Sequence, residues 1–237
     1  MFQHKYTLIA FVALFVLSVS VPSWAADTEY SERAMNAANT LTEIMQIPEK
    51  GIPDELMEKA VAVAVIPHMV KGAFGLGGTF GKGLVSHRGA DGKWSAPSFI
   101  EIGGGSVGLQ LGVQATDVVL VFTSNDGFKG LLDGKLKLGA DAAVAAGPVG
   151  RKAEVGTDIL LKSPVVSYSR SKGLFAGVSL EGAVVIIDDS ANKKVYGKKV
   201  TGNDVLMGNA VMTNNVVAPF VRALEKSSPA LKRTSVE

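Results

Sequence analysis

The chain has 237 residues, 24 Lys plus Arg against 22 Asp plus Glu, and no cysteine. A net charge of +2 argues against nucleic acid or any strongly charged partner. Without cysteine there is no disulfide, no thiolate zinc site and no lipid-modified N-terminal Cys, so a hydrophobic core must hold the protein together.

Met1 to Lys5 is short and mildly basic, Leu8 to Val21 is apolar or small, and Ser23-Trp24-Ala25 follows Pro22. That order predicts a secretory signal peptide over 1–25, cleaved after Ala25. Fourteen residues reach about 21 Å as a helix, short of the roughly 30 Å hydrocarbon core. The expected product is a bacterial protein, periplasmic or secreted. It carries a single domain over 26–226 and a flexible polar tail over 227–237.

From Tyr30 to Gln46, the residues Ala34, Ala37, Ala38, Leu41, Ile44 and Met45 recur at helical spacing, with Glu32, Arg33, Asn36 and Glu43 towards water. Pro53 to Met57 opens a second, shorter helix. Ala60 to Ile66 (AVAVAVI) extends that helix or forms a buried strand. Val at alternate positions favours the strand, and Pro67 is expected to stop it.

Gly72 to Ile187 reads as β. Gly89 to Gly92 signals a hairpin, Asp117 to Phe122 a short apolar strand, and Ser171-Lys172-Gly173 a second hairpin. Its second arm, Leu174 to Ile187, reads as one long strand bent at Gly177 or Gly182. Helix signals return at Gly127 to Asp133 and Pro219 to Lys226. Many of the 27 glycines lie in strand-like runs, notably Gly72 to Gly78 and Gly103 to Gly105, which predicts strongly curved sheets. The expected fold class is α+β: curved, glycine-rich, mainly antiparallel sheets, barrel- or sandwich-like, with N-terminal helices and a short C-terminal helix.

Residues 103–114, GGGSVGLQLGVQ, match two catalytic patterns by spacing. Gly103, Gly105 and Gly108 fit a dinucleotide turn; Gly104, Ser106 and Gly108 fit a nucleophile elbow. Both need a helix next, whereas Val107, Leu109, Leu111 and Val113 alternate with period two. A serine hydrolase also needs a base, and only His68 and His87 remain after the leader. Asp188 to Asn192 begins like a calcium loop, but Lys193 stands at the turn glycine, and a solvated strand end is expected. No metal and no cofactor is predicted, and the glycines are assigned a conformational role.

Several ordered motifs resemble the SYLF-domain family. They are Trp94 to Ile100 (WSAPSFI), Gly103 to Gly112, Thr116-Asp117, Gly139 to Ala142, Ala146 to Arg151 and Tyr168 to Gly182 (YSRSKGLFAGVSLEG), with Asn192 and Tyr196-Gly197 closing the series. The resemblance spans about Ala34 to Leu206 and implies binding rather than catalysis. Eukaryotic members are linked to phosphoinositide membranes and actin regulation, usually beside an SH3 or FYVE module. Bacterial relatives are exported single-domain proteins or lipoproteins described as lipid-binding. An exported chain meets neither phosphoinositides nor cytoplasmic actin, so actin is not an expected partner.

The expected function is therefore a non-catalytic phospholipid- or membrane-binding domain of the bacterial cell envelope, with anionic phospholipid as partner. Loop cations gather headgroups at about 1 kcal/mol each. The lipid-binding candidates are Lys71, Lys82, Arg88, Lys129, Arg151 and Lys172, with Trp94 as an inserting aromatic. Phe99 and Phe128 are weighed beside Trp94, Phe99 as core and Trp94 as the more open residue. His87 is expected to be exposed. The alternatives are an envelope-assembly module that binds a protein through a sheet edge and a serine hydrolase using Ser106.

Overall fold

A computed structural model describes residues 23–47, 51–74, 76–107, 112–147, 162–171, 174–175, 180–197, 199–208 and 213–228. Residues 1–22 of the predicted leader and the tail beyond 228 lie outside the described residues, as do Arg151, Lys172 and Gly177.

The helices are α1 (Ser23–Met45), α2 (Asp54–Lys59), α3 (Asn125–Leu132), α4 (Asp189–Tyr196), α5 (Gly202–Leu206) and α6 (Ala218–Ser227). The strands are β1 (Ala62–Phe74), β2 (Leu76–His87), β3 (Ser98–Val107), β4 (Gly112–Phe122), β5 (Lys135–Lys137), β6 (Val144–Ala146), β7 (Val165–Ser171), β8 (Leu174–Phe175) and β9 (Val184–Ile187). They form one curled half-barrel sheet in the order β5-β9-β3-β2-β1-β4-β7-β6, with β8 paired to β7. Every pairing is antiparallel except β6 with β7. The fold is α+β, as expected.

Ala62 to Ile66 explains why β1 sits at the centre. Val63 and Val65 enter the core beneath α1, α2 and α6; Ala62, Ala64 and Ile66 enter a second core beneath α3. A strand apolar on both faces must be covered on both, and this sheet is. Pro67 does not stop the strand. One extra residue is accommodated between Ile66 and Met69 against β4, and between Val65 and Val70 against β2. The bulge absorbs a residue that has no ladder N–H to give. His68 sits in it at φ 49° and donates its backbone N–H to Asp117 Oδ1 at 2.9 Å.

Leu174 to Ile187 is not one strand. β8 folds back on β7, while β9 pairs β3 and β5 across the sheet, after a turn in which Gly182 has φ 81°. Asp188 to Asn192 is not a solvated strand end either. The Asp188 carboxylate accepts from Ala191 N–H and caps α4, and Asn192 is fully buried. Asn192 Oδ1 accepts from Phe99 N–H at 3.0 Å, its Nδ2 donates to Ser98 Oγ at 2.9 Å, and Tyr196 OH donates to the Pro97 carbonyl. These bonds tie the WSAPSFI stretch to α4. Arg33, expected in water, is buried beside the Tyr30 and Phe99 rings and ion-paired with Asp188 at 3.1 Å.

Candidate functional site

Beyond the bulge, strands β1 to β4 extend past both cores as a four-stranded, glycine-rich sheet. Residues opposite one another in neighbouring strands share a face. One cross-strand row reads Ala115, Val70, Phe80, Gly103, and the next reads Val113, Gly72, Gly78, Gly105. This face continues the α1 side of the sheet, and its apolar groups are uncovered: Val70 is 43%, Phe80 53% and Val113 71% exposed. On the other face Lys71, Thr79 and Gly104 are aligned. A side chain at Gly104 would press on Ala183 Cα at 3.1 Å, so that glycine is required by close approach.

The glycines of the uncovered rows are different. A Cβ at Gly105 would meet nothing within 4 Å, and those at Gly72, Gly78 and Gly103 would meet only ordinary contacts at 3.8 to 3.9 Å. None of the four has a positive φ. Neither conformation nor internal packing demands glycine there, although glycine in a strand weakens it by roughly 0.5–1 kcal/mol relative to Ala. The result is a smooth apolar face, bordered at the core by Lys82, paired with Glu101 at 3.4 Å, and by Arg170, held between Asp117 and Glu43.

The candidates predicted from sequence do not gather into one cationic face. Lys71 and Lys82 belong to opposite faces of the extension, and Lys129 is exposed on α3, at the other end of β4. Arg88 is buried, its guanidinium bonded to the carbonyls of Glu58, Gly92 and Ser228. Trp94 is buried against it, 8% exposed with the guanidinium 5.3 Å from its ring, so neither projects from the surface as insertion into a bilayer would need. Phe99 and Phe128 are core residues.

Ser106 lies in β3 opposite Gly77, and its side chain is outside the described residues. His87 is ten residues from Gly77 along β2, about 33 Å, and His68 is five from Ala73, about 16 Å. Neither imidazole is within hydrogen-bond reach of Ser106. Among the described residues no group of His, Asp and Glu could hold a metal, and no helix is long and apolar enough to cross a membrane.

His87 is half-buried rather than exposed, stacked on Phe128 with ring centroids 5.3 Å apart. Burial holds its pKa below the ordinary 6.5, against the opposing effect of a hydrogen bond to the Leu206 backbone. The unfolded chain therefore takes up this proton first. The contribution of neutral His87 is complete above about pH 6.5 and is lost as pH falls through the lower folded value. In urea melts from pH 7.5 to 5, wild type should lose stability below about pH 6.5 relative to His87→Phe. Parallel profiles would contradict this.

An α+β domain that presents an open sheet face, without a clustered set of catalytic groups among its described residues, is the class this geometry defines. A model of the Ysc84 family, described as "Las17-binding protein actin regulator", matches residues 103–227. The chain belongs to this family, the Ysc84/SYLF domain proteins. It is similar to LAS seventeen-binding protein 3 of Saccharomyces cerevisiae, 37% identical over 177 residues, covering 73% of this chain and 38% of that protein. It is also similar to human SH3 domain-containing YSC84-like protein 1, 36% identical over 182 residues, covering 74% of this chain and 53% of that one. A Schizosaccharomyces pombe SH3 domain-containing protein is 39% identical over 185 residues, 77% of this chain and 43% of its own. The chain thus spans about half or less of these relatives.

Proposed function

We propose that the chain is a non-catalytic domain that binds phospholipid surfaces through the smooth face of β1 to β4, in the bacterial cell envelope. The observation that carries this reading is the uncovered Val70, Phe80 and Val113 of two adjacent rows, set among glycines that the fold itself does not need. A face of glycines and exposed apolar side chains suits a deformable apolar surface. Burying what remains exposed of the three side chains contributes on the order of 1–2 kcal/mol each. Lys82, on the same face and paired with Glu101 at 3.4 Å, adds up to roughly 1 kcal/mol near an anionic surface, whereas Lys71 points to the opposite face. Weak apolar insertion plus a nearby cation is the two-signal logic of reversible membrane attachment. The leader-like pattern of residues 1–25 supports export to the periplasm or beyond.

The test is flotation with liposomes of phosphatidylcholine and increasing phosphatidylglycerol, at low and high salt. Bound protein should rise with the anionic fraction and fall with salt. Phe80→Glu combined with Val113→Glu should reduce it at least tenfold without changing the melting temperature, since both side chains are exposed. Absence of binding to every lipid would sink the reading and favour a protein partner, the direction in which the names of the yeast relatives point.

A further inference from the structure

At the opposite end of the sheet, a groove of about 790 Å³ opens between the hairpin segment Gly89 to Ala96 and helices α3 and α5. His87, in this groove, is seven residues from Phe80 along β2, about 23 Å, so the groove is separate from the smooth face. Its volume lies within the roughly 300–1,000 Å³ of small-molecule sites.

The two walls differ in chemistry. Leu132 of α3, with Leu206 and Met207 at the end of α5, forms an apolar wall, and Met207 is 49% exposed. The hairpin wall carries donors. Lys93 is exposed and held only loosely by Asp91, at 3.9 Å. The Trp94 indole N–H is buried with no acceptor among the described residues. His87 adds no positive charge at neutral pH, because burial keeps it neutral. This wall offers the Lys93 ammonium and an unpartnered indole N–H, and its one carboxylate, Asp91, lies beside Lys93 at 3.9 Å. Facing an aliphatic wall, it suits an anion with an apolar body.

We propose that this groove binds a single-chain aliphatic carboxylate. Its alkyl body lies on Leu132, Leu206 and Met207, and its carboxylate lies on the hairpin side with Lys93 and the Trp94 indole N–H. The proposal does not rest on membrane binding by the smooth face.

Trp24 and Trp94 are the only tryptophans, so Trp24→Phe in the full chain leaves Trp94 as the reporter. Titration with dodecanoate below its micelle-forming concentration should give a saturable change in Trp94 emission at micromolar concentration. Dodecyltrimethylammonium, with the same chain and opposite charge, should bind at least tenfold more weakly. Lys93→Glu and Met207→Asp alter exposed side chains, and each should weaken dodecanoate at least tenfold while liposome flotation stays at the wild-type level. The proposal is overturned by the absence of a saturable Trp94 response, by equal affinity for the two amphiphiles, or by unchanged dodecanoate affinity in both variants.

Discussion

Gly83→Ala is expected to abolish soluble folded protein or to cost about 3 kcal/mol or more, the upper end of what overpacking does. Gly83 lies in β2 beside the β1 bulge, and an added Cβ would collide with the Val65 carbonyl oxygen and crowd Ile66 Cα at 3.0 Å. Both atoms are backbone of the central strand, so relief requires breaking ladder hydrogen bonds. Gly81 is the companion site, where a Cβ would meet Ile66 Cγ2 at 2.6 Å. The bulge that carries Pro67 and His68 through the sheet thus depends on two glycines in the neighbouring strand. Gly105→Ala provides the contrast. Its Cβ meets open space, so stability should hold or rise by up to about 1 kcal/mol. Chemical melts of both variants check the pair; comparable melting of Gly83→Ala and wild type would refute the packing argument.

Asp188→Ala should cost about 3 kcal/mol, because it removes the buried partner of Arg33 and leaves that cation only the exposed Glu29 carboxylate, at 3.3 Å. Arg33 and Asp188 have side chains only 7% and 12% exposed and are joined at 3.1 Å, with Arg33 packed beside two aromatic rings. The same carboxylate caps α4 through Ala191 N–H at 2.9 Å, a bond worth about 1 kcal/mol by itself. Arg33→Met should be somewhat milder, since Met keeps part of the apolar contact with Tyr30 and Phe99. A double-mutant cycle in urea at pH 7 separates pair from cap. Strong coupling between the two positions is expected; strict additivity would show that the ion pair contributes nothing.

The sequence makes the central architecture legible where alternation is strong. AVAVAVI, where alternate Val favours a buried strand over a helix extension, supplies the start of β1 from Ala62, DVVLVF lies in β4, Gly89 to Gly92 turns a hairpin, and both end helices form. Other features depend on partners far away in the chain. Leu174 to Ile187 is largely apolar, and nothing local reveals that its two ends pair with β7 and with β3 and β5. Arg33 and Arg88 look like surface charges until Asp188, and the carbonyls of Glu58 and Ser228, are brought to them. The smooth face was hidden for a sharper reason. One extra residue at the bulge reverses which positions of β1 face inward, so Met69 is buried and Val70 exposed. Glycine density marked the region, but only the register separates exposed Phe80 from buried Phe99.

The family match begins at Gly103, partway along β3, and so leaves out β1 and β2. In the sheet those two strands stand between β3 and β4. The matched stretch by itself would be two flanks facing each other across a gap of three strand spacings, about 14 Å, with no backbone to bridge them. A portable version of this domain therefore has to start upstream of Ala62, and upstream of α1 if the core beneath that helix is to close. The boundary that the family model draws and the boundary at which a chain can stand alone are, in this protein, different places.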